Sequence, residues 1–572
     1  MKKGGQTVRR QAAMDQAAMG QAAVDGTTAM HQSAVQGRSA GGALKRRSFL
    51  AAGAAAAAAG TLTAPAIAAA PSVLKFIPQS DVTILDPVWT TAYVTRNHGF
   101  LIFDTLYGTD ASFGATPQMV EGHVVSDGGK QWTMTLRPGL KWHDGEKVVA
   151  KDCVASIRRW GARDAFGQTV MQFSDAIEAV DDKTIRFRLK QPFPLLPLAL
   201  GKVASNSCPM MPERLARTDP FKQITEMVGS GPFRWNAKER VVGSLAVYEK
   251  FADYVPRPAG TPSWTAGPKV VHFDRVEWHV VPDAATATAA MQSGEMDWWE
   301  NPPNDNAAVL AKDAKLTTRI LDPTGLMGCM RLNWLNPPFD NAAIRRLVLH
   351  AVNQREFMIA AAGTDARMWH VPAGIFTPGT PMASSAGLAM FSAKKDFAGL
   401  KAAVRKAGYK GEKVVLMSPT DQLVLKYFAD VTADVLHRMG FNVDYQAMDW
   451  GTLVERRASM KPIAAGGWSI FCTEWAGLDQ MSPAGHVFLR GQGKAGGVPG
   501  WPSSPRIEAL RNEWLVAKDE ASQKAIAAQL QAQAFEDVPY IPLGQNFYET
   551  SHNKRITGVL DGIPIFWNVR PA

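Results

Sequence analysis

Cysteine is scarce in this chain of 572 residues, which contains only Cys153, Cys208, Cys329 and Cys472. These four are far apart and none forms a C-x-x-C pair, which argues against a zinc knuckle or a thioredoxin-type redox site. In an oxidising compartment they allow up to two disulfides with three possible connectivities. The alternative is four free, buried thiols, and the sequence leaves both open.

Sequence patterns of enzymes are also missing. The chain has no G-x-S-x-G, no H-E-x-x-H and no Walker loop. Several histidines are scattered without the spacing of metal ligands: His98, His123, His143, His272 and His279. We therefore predict no catalytic residue, no metal and no cofactor.

A clustered basic surface is lacking as well, although the formal net charge is +10. The first 68 residues hold eight basic residues and two acidic ones, so 8 − 2 = +6 of that charge lies there and +4 remains elsewhere. This distribution argues against a nucleic-acid partner.

The one long apolar stretch lies near the beginning of the chain. Lys45-Arg46-Arg47-Ser48-Phe49-Leu50 opens an alanine-rich run to Ile67, and Ala66-Ile67-Ala68 fits a cleavage site. A transmembrane helix is the alternative, but alanine is weakly hydrophobic and Gly53, Gly60 and Pro65 weaken a stable span. We predict a cleaved export signal at 45–68 and hence a periplasmic protein.

The paired arginines before Phe-Leu resemble a twin-arginine signal, with Lys45 in place of the usual Ser or Thr. No cysteine lies near the cleavage site, so no lipid anchor is predicted. Residues 1–44 are rich in Gln, Ala, Met and Gly. They are either a disordered extension, or translation starts downstream at Met14, Met19 or Met30.

Strand and helix patterns alternate along the remaining chain. Trp132, Met134 and Leu136 alternate with polar residues as on a half-buried strand, and Phe441, Val443 and Tyr445 repeat this pattern. Helices are predicted at 148–160, at 284–292 between Asp283 and Gly294, after Asn341, and at 421–439 before Gly440. The alternation indicates an α/β fold.

Five segments occur in a characteristic order. The first runs from Pro117-Gln118-Met119-Val120-Glu121 to Lys141-Trp142-His143-Asp144-Gly145, and the second is Gly229-Ser230-Gly231-Pro232-Phe233. The others are Gln292-Ser293-Gly294-Glu295-Met296-Asp297, then Arg331-Leu332-Asn333 with Pro337-Pro338-Phe339-Asp340-Asn341, and Asp537-Val538-Pro539-Tyr540-Ile541-Pro542-Leu543. Together they resemble family 5 of the extracytoplasmic solute-binding proteins of ABC importers, the dipeptide, oligopeptide and nickel binders. His123 stands where that family usually has Trp.

The resemblance implies a two-lobed periplasmic binding protein fold, class II-like and of cluster C, with a hinge and an interlobe ligand cleft. It places the first lobe at 71–285, the second at 286–538 and the return to the first lobe at 539–572. It implies a monomer that closes on a small, peptide-like ligand and delivers it to the membrane subunits of an ABC permease.

Seventeen tryptophans are present, and most should be core residues. A few can line a ligand cleft, because indole offers a large apolar area and one donor. Our candidates for ligand contact are Asp449, Trp450, Trp468, Trp475 and Asp479. In peptide-binding relatives, the segment that matches Trp475 to Asp479 carries an acid that holds the peptide amine. The second acid of that run is missing here, since Ser482 precedes Pro483.

Other motifs have structural explanations. Asp144-Gly145 is a turn signal, so we expect His143 to pack or form hydrogen bonds near that turn. Gly229-Ser230-Gly231-Pro232 lacks the spacing of a dinucleotide loop, and we interpret it as a tight backbone crossing between the lobes. Two other classes of function remain open: a binder of a metal chelate, haem or sugar in the same fold, and a periplasmic enzyme.

Overall fold

A computed structural model describes residues 71–496 and 498–572 of the chain. The predicted extension at 1–44 and the predicted signal peptide at 45–68 lie outside the described residues. Two large sheets and one smaller sheet organise what is described.

The first lobe is built on a seven-stranded mixed sheet. Its central strand, Val73–Ile77, pairs in parallel with a strand on each side, and the outer pairs are antiparallel. In sheet order the strands are Leu316–Ile320, Glu549–Asn553, Trp298–Trp299, Val73–Ile77, Arg275–His279, Leu245–Lys250 and Phe233–Trp235.

A four-stranded antiparallel sheet is inserted into the first lobe. Its strands, in sheet order, are Val120–Ser126, Gln131–Leu136, Thr184–Leu189 and Ser174–Ala179. Short pairs join Tyr107–Thr109 to Ala115–Pro117 and Ile556–Thr557 to Arg570–Pro571. The strand predicted from Trp132, Met134 and Leu136 is confirmed, and its burial alternates as expected.

The second lobe is built on a six-stranded mixed sheet. In sheet order its strands are Trp369–His370, Ile541–Asn546, Leu326–Leu332, Ile470–Ala476, Lys413–Pro419 and Asn442–Met448. The last three pair in parallel and the others antiparallel.

The strand pairing gives lobe boundaries that differ from the boundaries predicted from the sequence. The strands at 298–299 and 316–320 belong to the first lobe's sheet, so the second lobe does not begin at 286. The strand at 541–546 lies in the second lobe's sheet, so the return does not occur at 539. The chain crosses at 321–325 and returns at 547–548, because partners distant in sequence decide which sheet a strand joins.

Helices cover these sheets, and local signals set several of their ends. Asp283 accepts a hydrogen bond from the Thr286 N–H at 2.7 Å, and Gly294 ends that helix with φ 78°. Asn341 caps the next predicted helix, and Gly440 follows the longest predicted one with φ 82°. The main helices are Tyr93–Ile102, Ala150–Arg163, Ala165–Phe173, Ala284–Ser293, Asn304–Leu310, Ala342–Ala351, Gln354–Ala362, Phe397–Lys406, Leu423–Arg438, Trp450–Arg457, Pro505–Leu515 and Glu520–Asp537.

Two of the family-like motifs meet within the first lobe. The His143 Nε2 atom lies 3.0 Å from the Gly231 carbonyl, and the Gly229 N–H donates to His143 Nδ1 at 3.3 Å. A side chain at Gly229 would clash with the Ile102 carbonyl, which lies 2.0 Å from the position of its Cβ. His143 therefore has the structural role predicted for it. The glycine motif is a tight crossing, but against the helix Tyr93–Ile102 rather than between the lobes.

All four cysteines are free and buried. Cys329 and Cys472 lie on neighbouring strands, but Cys329 pairs with Thr473 and Met330 pairs with Cys472. Cross-strand partners share a face and successive residues alternate, so these two thiols point to opposite faces of the sheet. Of the two alternatives left open by the sequence, disulfides or free thiols, the structure therefore has free thiols.

Candidate functional site

A cavity of about 160 Å³ lies between the lobes. The first lobe contributes residues from the helix ends near Arg163 and Asp164 and from the loop at Lys202 to Asn206. The second lobe contributes Trp475, Asp479 and the segment from Gly485 to Arg490. Both lobes therefore line one partly open cavity, which is where a two-lobed protein holds a small ligand.

The segment after the strand Ile470–Ala476 docks directly onto the first lobe. Leu478 is 3% exposed and packs in an apolar cluster with first-lobe residues that include Trp264 and Trp567. Gly477 lies so close to the crossing segment that a Cβ there would be 2.1 Å from the Thr324 carbonyl oxygen. Its N–H donates to the Gly325 carbonyl at 2.7 Å. These contacts of Gly477 hold the segment in place and so fix the position of Asp479, two residues later.

Asp479 joins the two lobes through hydrogen bonds. Its Oδ2 accepts from the Tyr93 hydroxyl at 2.9 Å, and its Oδ1 accepts from the Ser205 hydroxyl at 2.6 Å. The Tyr93 hydroxyl also accepts from the Ala476 N–H at 2.8 Å. Burial and the neighbouring carboxylate raise the pKa of Tyr93 well above its ordinary value, so the phenol keeps the proton that it donates. A carboxylate has about four lone-pair sites, so Asp479 retains capacity for a further donor.

Trp475 lies on the second-lobe wall of the cavity and is half-buried. Its ring packs edge-on against Phe488, with centroids 5.6 Å apart. Its indole Nε1 has no hydrogen-bond partner within residues 71–496 and 498–572. The residue thus offers an apolar ring at the cavity, and its indole N–H is buried.

A buried arginine holds this wall in place. Arg331, fully buried, donates to the carbonyl groups of Phe488, Pro539 and Pro499 at 3.0, 2.9 and 2.6 Å. Its guanidinium also lies 4.5 Å from the centre of the Phe488 ring. Arg331 and Pro539 belong to two of the motifs found in the sequence, so these motifs shape the wall rather than contact a ligand.

The structure does not place Trp468 at the cavity. Its side chain is fully buried in the core of the second lobe, where it packs against Phe471 and Trp501 with centroids 5.1 and 5.9 Å apart. Trp468 precedes the strand Ile470–Ala476, which carries Trp475, and it is absent from the lining of the cavity. Trp468 is therefore a core residue.

Trp450 and Asp449 also lie elsewhere. Asp449 is exposed and caps the helix Trp450–Arg457, accepting from the Thr452 N–H at 2.9 Å and from its hydroxyl at 2.6 Å. Trp450 is half-buried on that helix, with the Arg457 guanidinium 5.6 Å from its ring centre. A helix-capping acid followed by an aromatic residue resembles a ligand motif in sequence, but here it starts a helix.

Several residues of the site carry no signal in the sequence. Tyr93 and Ser205 reach Asp479 from 386 and 274 positions away along the chain. Lys202 forms an ion pair with Asp164, which also accepts from the Phe166 and Gly167 N–H groups at 2.8 and 2.9 Å. Arg490 adds a second-lobe cation to the cavity wall. Only the three-dimensional arrangement brings these groups together.

Two negative findings concern the described part of the chain. No helix there is both long enough and apolar enough to cross a membrane. No group of three or more His, Cys, Asp or Glu side chains is arranged there in a way that could hold a metal ion.

Comparison with known proteins now identifies the family. The model of the bacterial extracellular solute-binding proteins, family 5 middle region, matches residues 114–488. A probable peptide ABC transporter periplasmic-binding protein, y4tO of Sinorhizobium fredii, is 34% identical over 526 residues, which are 91% of this chain and 98% of that protein. The chain belongs to family 5 of the bacterial extracellular solute-binding proteins. It is the substrate-binding component of an ABC importer, as the sequence analysis predicted.

Further relatives of this solute-binding protein differ in ligand. The glutathione-binding protein GsiB of Pectobacterium atrosepticum is 26% identical, covering 90% of this chain and 96% of that protein. The fold matches the binding protein AgaA of A. tumefaciens R10 in complex with agropinic acid, with a TM-score of 0.71, 20% identity and coverage of 87% and 99%. It also matches DppA of Helicobacter pylori in complex with the peptide STSA, with a TM-score of 0.70, 19% identity and coverage of 87% and 98%. These likenesses confirm the predicted two-lobed α/β fold.

Proposed function

We propose that this solute-binding protein captures a short peptide, or an amine-bearing solute of similar size, between its lobes. The observation that carries the proposal is Asp479, a buried carboxylate that lines the interlobe cavity and contacts first-lobe hydroxyls. An ammonium group placed at its remaining lone pairs would form a charge-assisted hydrogen bond, which is stronger than a neutral one. The peptide or glutathione named for relatives such as y4tO and GsiB supports an amine-bearing ligand.

Trp475 has a more general part in this proposal. Its ring lies on the same cavity wall as Asp479 and offers stacking area to ligands of either charge. In the proposed mechanism, a solute binds both walls, the lobes close around it, and the closed form is read by the membrane subunits of an ABC permease. The protein acts as a monomer, binds no nucleic acid and returns its ligand chemically unchanged.

Two substitutions test the site. Asp479→Asn should weaken binding of a peptide found by screening short peptides at least tenfold, because removing one partner of a buried charge pair costs roughly 2–5 kcal/mol. Trp475→Ala should weaken both the peptide and its N-acetylated form, since stacking does not depend on the amine. Isothermal titration calorimetry measures both effects.

The structure offers matched controls for these variants. Asp449→Asn and Trp450→Ala change the same residue types away from the cavity, and asparagine still caps a helix. Both controls should bind like the wild type. Unchanged affinity in Asp479→Asn would contradict amine recognition, and breakdown of the peptide that tracks the purified protein would favour an enzyme.

We also propose that the chain is exported to the periplasm by the twin-arginine route and cleaved near Ala68. The support is the run Lys45-Arg46-Arg47-Ser48-Phe49-Leu50 before the alanine-rich segment. Replacing Arg46 and Arg47 with lysine should leave the precursor in the cytoplasm, since the pair is the address that the receptor recognises. Fractionation and immunoblotting check this, and normal periplasmic accumulation of the double variant would exclude this route.

A further inference from the structure

The side chain of Leu478 is buried in the opposite lobe rather than in its own. It lies in the short helical turn Gly477–Asp479, which follows the second-lobe strand Ile470–Ala476. The other buried members of its apolar cluster all belong to the first lobe, and they include Phe100, Val203, Ala204, Trp264 and Trp567. We call these first-lobe residues the socket and Leu478 the knob that the socket holds.

The knob and the socket adjoin the hydrogen bonds that join Asp479 to the first lobe. Leu478 directly precedes Asp479 in the chain. In the first lobe, Ala204 of the socket directly precedes Ser205, and Tyr93 lies on a helix that contributes to the socket. The hydroxyls of Tyr93 and Ser205 are the donors to Asp479, at 2.9 and 2.6 Å. Insertion of the knob therefore brings the carboxylate against both donors.

The turn that carries the knob is held by its own lobe. The Gly477 carbonyl accepts from the Thr377 hydroxyl at 2.7 Å and from the Gln480 N–H at 3.0 Å. Thr377 is fully buried and belongs to the second lobe. A movement of the second lobe therefore carries Leu478 with it, whereas the socket stays with the first lobe.

Two aromatic residues at the socket have strained backbones. Trp264 has φ 48°, and Phe113, which packs at the edge of the socket, has φ 66°. Bulky residues rarely adopt this left-handed region. The two ring centroids are 5.3 Å apart, and a Cβ on Gly562 would lie 2.8 Å from the Trp264 ring. Strain of this kind persists where the surrounding structure enforces it, and it clusters at clamps and switch regions, which gives an indication of function independent of the burial of Leu478.

A buried ion pair fixes the other tryptophan of the socket. Lys269 Nζ lies 4.6 Å from the centre of the Trp567 ring and donates to Asp104 Oδ1 at 2.7 Å. Lys269 and Asp104 are fully buried, and separating them would leave an unpaired buried charge. We therefore expect the socket to keep its shape when the knob withdraws, so that the same contact forms again at each closure.

We propose that Leu478 is a positioning residue, whose insertion into the socket helps to close the lobes and places Asp479 against Tyr93 and Ser205. This inference rests on the proposed function and adds a residue that acts on the solute only through its neighbour. It predicts that Leu478 leaves the socket when the lobes open. It also predicts that loss of the knob weakens closure around any solute, with or without an amine.

The first test needs no solute and follows the thiol of Leu478→Cys in the intact mature protein. The native cysteines are 0% exposed, so labelling by N-ethylmaleimide, measured by mass spectrometry, reports the new thiol. Leu453→Cys is the matched control, because Leu453 is equally buried but lies on the second-lobe helix Trp450–Arg457. Leu478→Cys should react at least tenfold faster than Leu453→Cys under native conditions, since opening of the lobes does not require unfolding.

Two labelling results would overturn the proposal. Equal rates for Leu478→Cys and Leu453→Cys would mean that position 478 is a static core contact. Labelling of Leu478→Cys as fast as that of Val242→Cys, whose position is 76% exposed, would mean that position 478 does not enter the socket.

The second test measures binding rates and affinities with dipeptides of Gly, Ala and Ser, free and N-acetylated, because a cavity of about 160 Å³ admits only small solutes. Leu478→Ala should bind the best free dipeptide at least tenfold more weakly, since a buried leucine side chain stabilises the closed complex. The dissociation rate should carry this change, and the N-acetylated dipeptide should be weakened by the same factor. Leu478→Met conserves apolar volume and should bind within about threefold of wild type.

A control variant separates positioning from general stability. Leu453→Ala should lower the melting temperature but bind dipeptides like wild type. Wild-type affinity and dissociation rate in Leu478→Ala would overturn the role of Leu478 and leave amine recognition by Asp479 intact. Equal binding of free and N-acetylated dipeptides by wild type would overturn amine recognition and leave the role of Leu478 intact. Failure of every dipeptide to bind would count against the proposed function, and the labelling rates would then decide the role of Leu478.

Discussion

Glu474 carries a buried carboxyl group beside the segments that join the two lobes. It precedes Trp475 on the strand Ile470–Ala476, and its Oε2 has no hydrogen-bond partner within the described residues. Burial raises the pKa of this carboxyl from 4.5 to about 7, against the smaller effect of a hydrogen bond with Asn546. Its charge in turn raises the pKa of Tyr548, which lies in the returning segment.

The raised pKa of Glu474 predicts a pH dependence of stability. Between pH 4.5 and about 7 the folded state binds more protons at this site than the unfolded state, so the site's contribution to stability falls as pH rises. Glutamine stays neutral, so Glu474→Gln should gain melting temperature relative to wild type across this window, by roughly a few degrees. Calorimetric melts at about pH 5 and about pH 8 measure the gain. The exposed Glu455→Gln is the control, and a difference that is constant with pH would contradict the assignment.

Single residues of the site differ in how far they could be predicted. Asp479 and Trp475 could be predicted because they stand in a segment that resembles the ligand-binding run of peptide binders. Trp468 could not be separated from Trp475 by residue type, because the difference lies in tertiary packing: Trp468 is buried in the core of the second lobe, whereas Trp475 lines the cavity. Arg490 was missed because no sequence pattern places it on the cavity wall.

At the scale of helices and strands, helix ends could be predicted from the local sequence, but the pairing of strands could not. Asp283, Asn341 and the glycines at 294 and 440 mark helix ends within a few residues, so those ends could be predicted from the sequence. The strand Trp298–Trp299 joins the first lobe's sheet by pairing with both Val73–Ile77 and Glu549–Asn553, and Leu316–Ile320 joins it by pairing with Glu549–Asn553. That partner is more than 200 positions away, and the predicted boundary at 285/286 missed it for this reason.

The connecting segments are packed more closely than a free linker. A Cβ on Gly325 would lie 2.4 Å from the Asn546 carbonyl oxygen, and the Gln545 amide donates to the Thr324 carbonyl at 2.7 Å. Gly477 rests on the same segment, so the wall that carries Asp479 is anchored next to the crossing point. Motion of the lobes about these segments would therefore move the first-lobe hydroxyls of Tyr93 and Ser205 relative to Asp479.

At the scale of the whole molecule, both polar and apolar contacts join the lobes next to the cavity. Tyr93 and Ser205 contribute two hydrogen bonds to Asp479, and Leu478 adds an apolar contact with the first lobe. A net hydrogen bond is worth about 0.5–1.5 kcal/mol, so each of these hydrogen bonds adds only a modest stabilisation to the closed arrangement. A solute that bridges both walls would add the stabilisation that shifts the population to the closed form.

Small-angle X-ray scattering with and without a saturating dipeptide tests the central claim, that a small solute is captured by closure of two lobes. The bound protein should scatter like the present structure, and the solute-free protein should have a larger radius of gyration. At the same dipeptide concentration Asp479→Asn should remain closer to the solute-free profile. Identical wild-type profiles with and without a dipeptide that calorimetry shows to be bound would contradict capture by lobe closure.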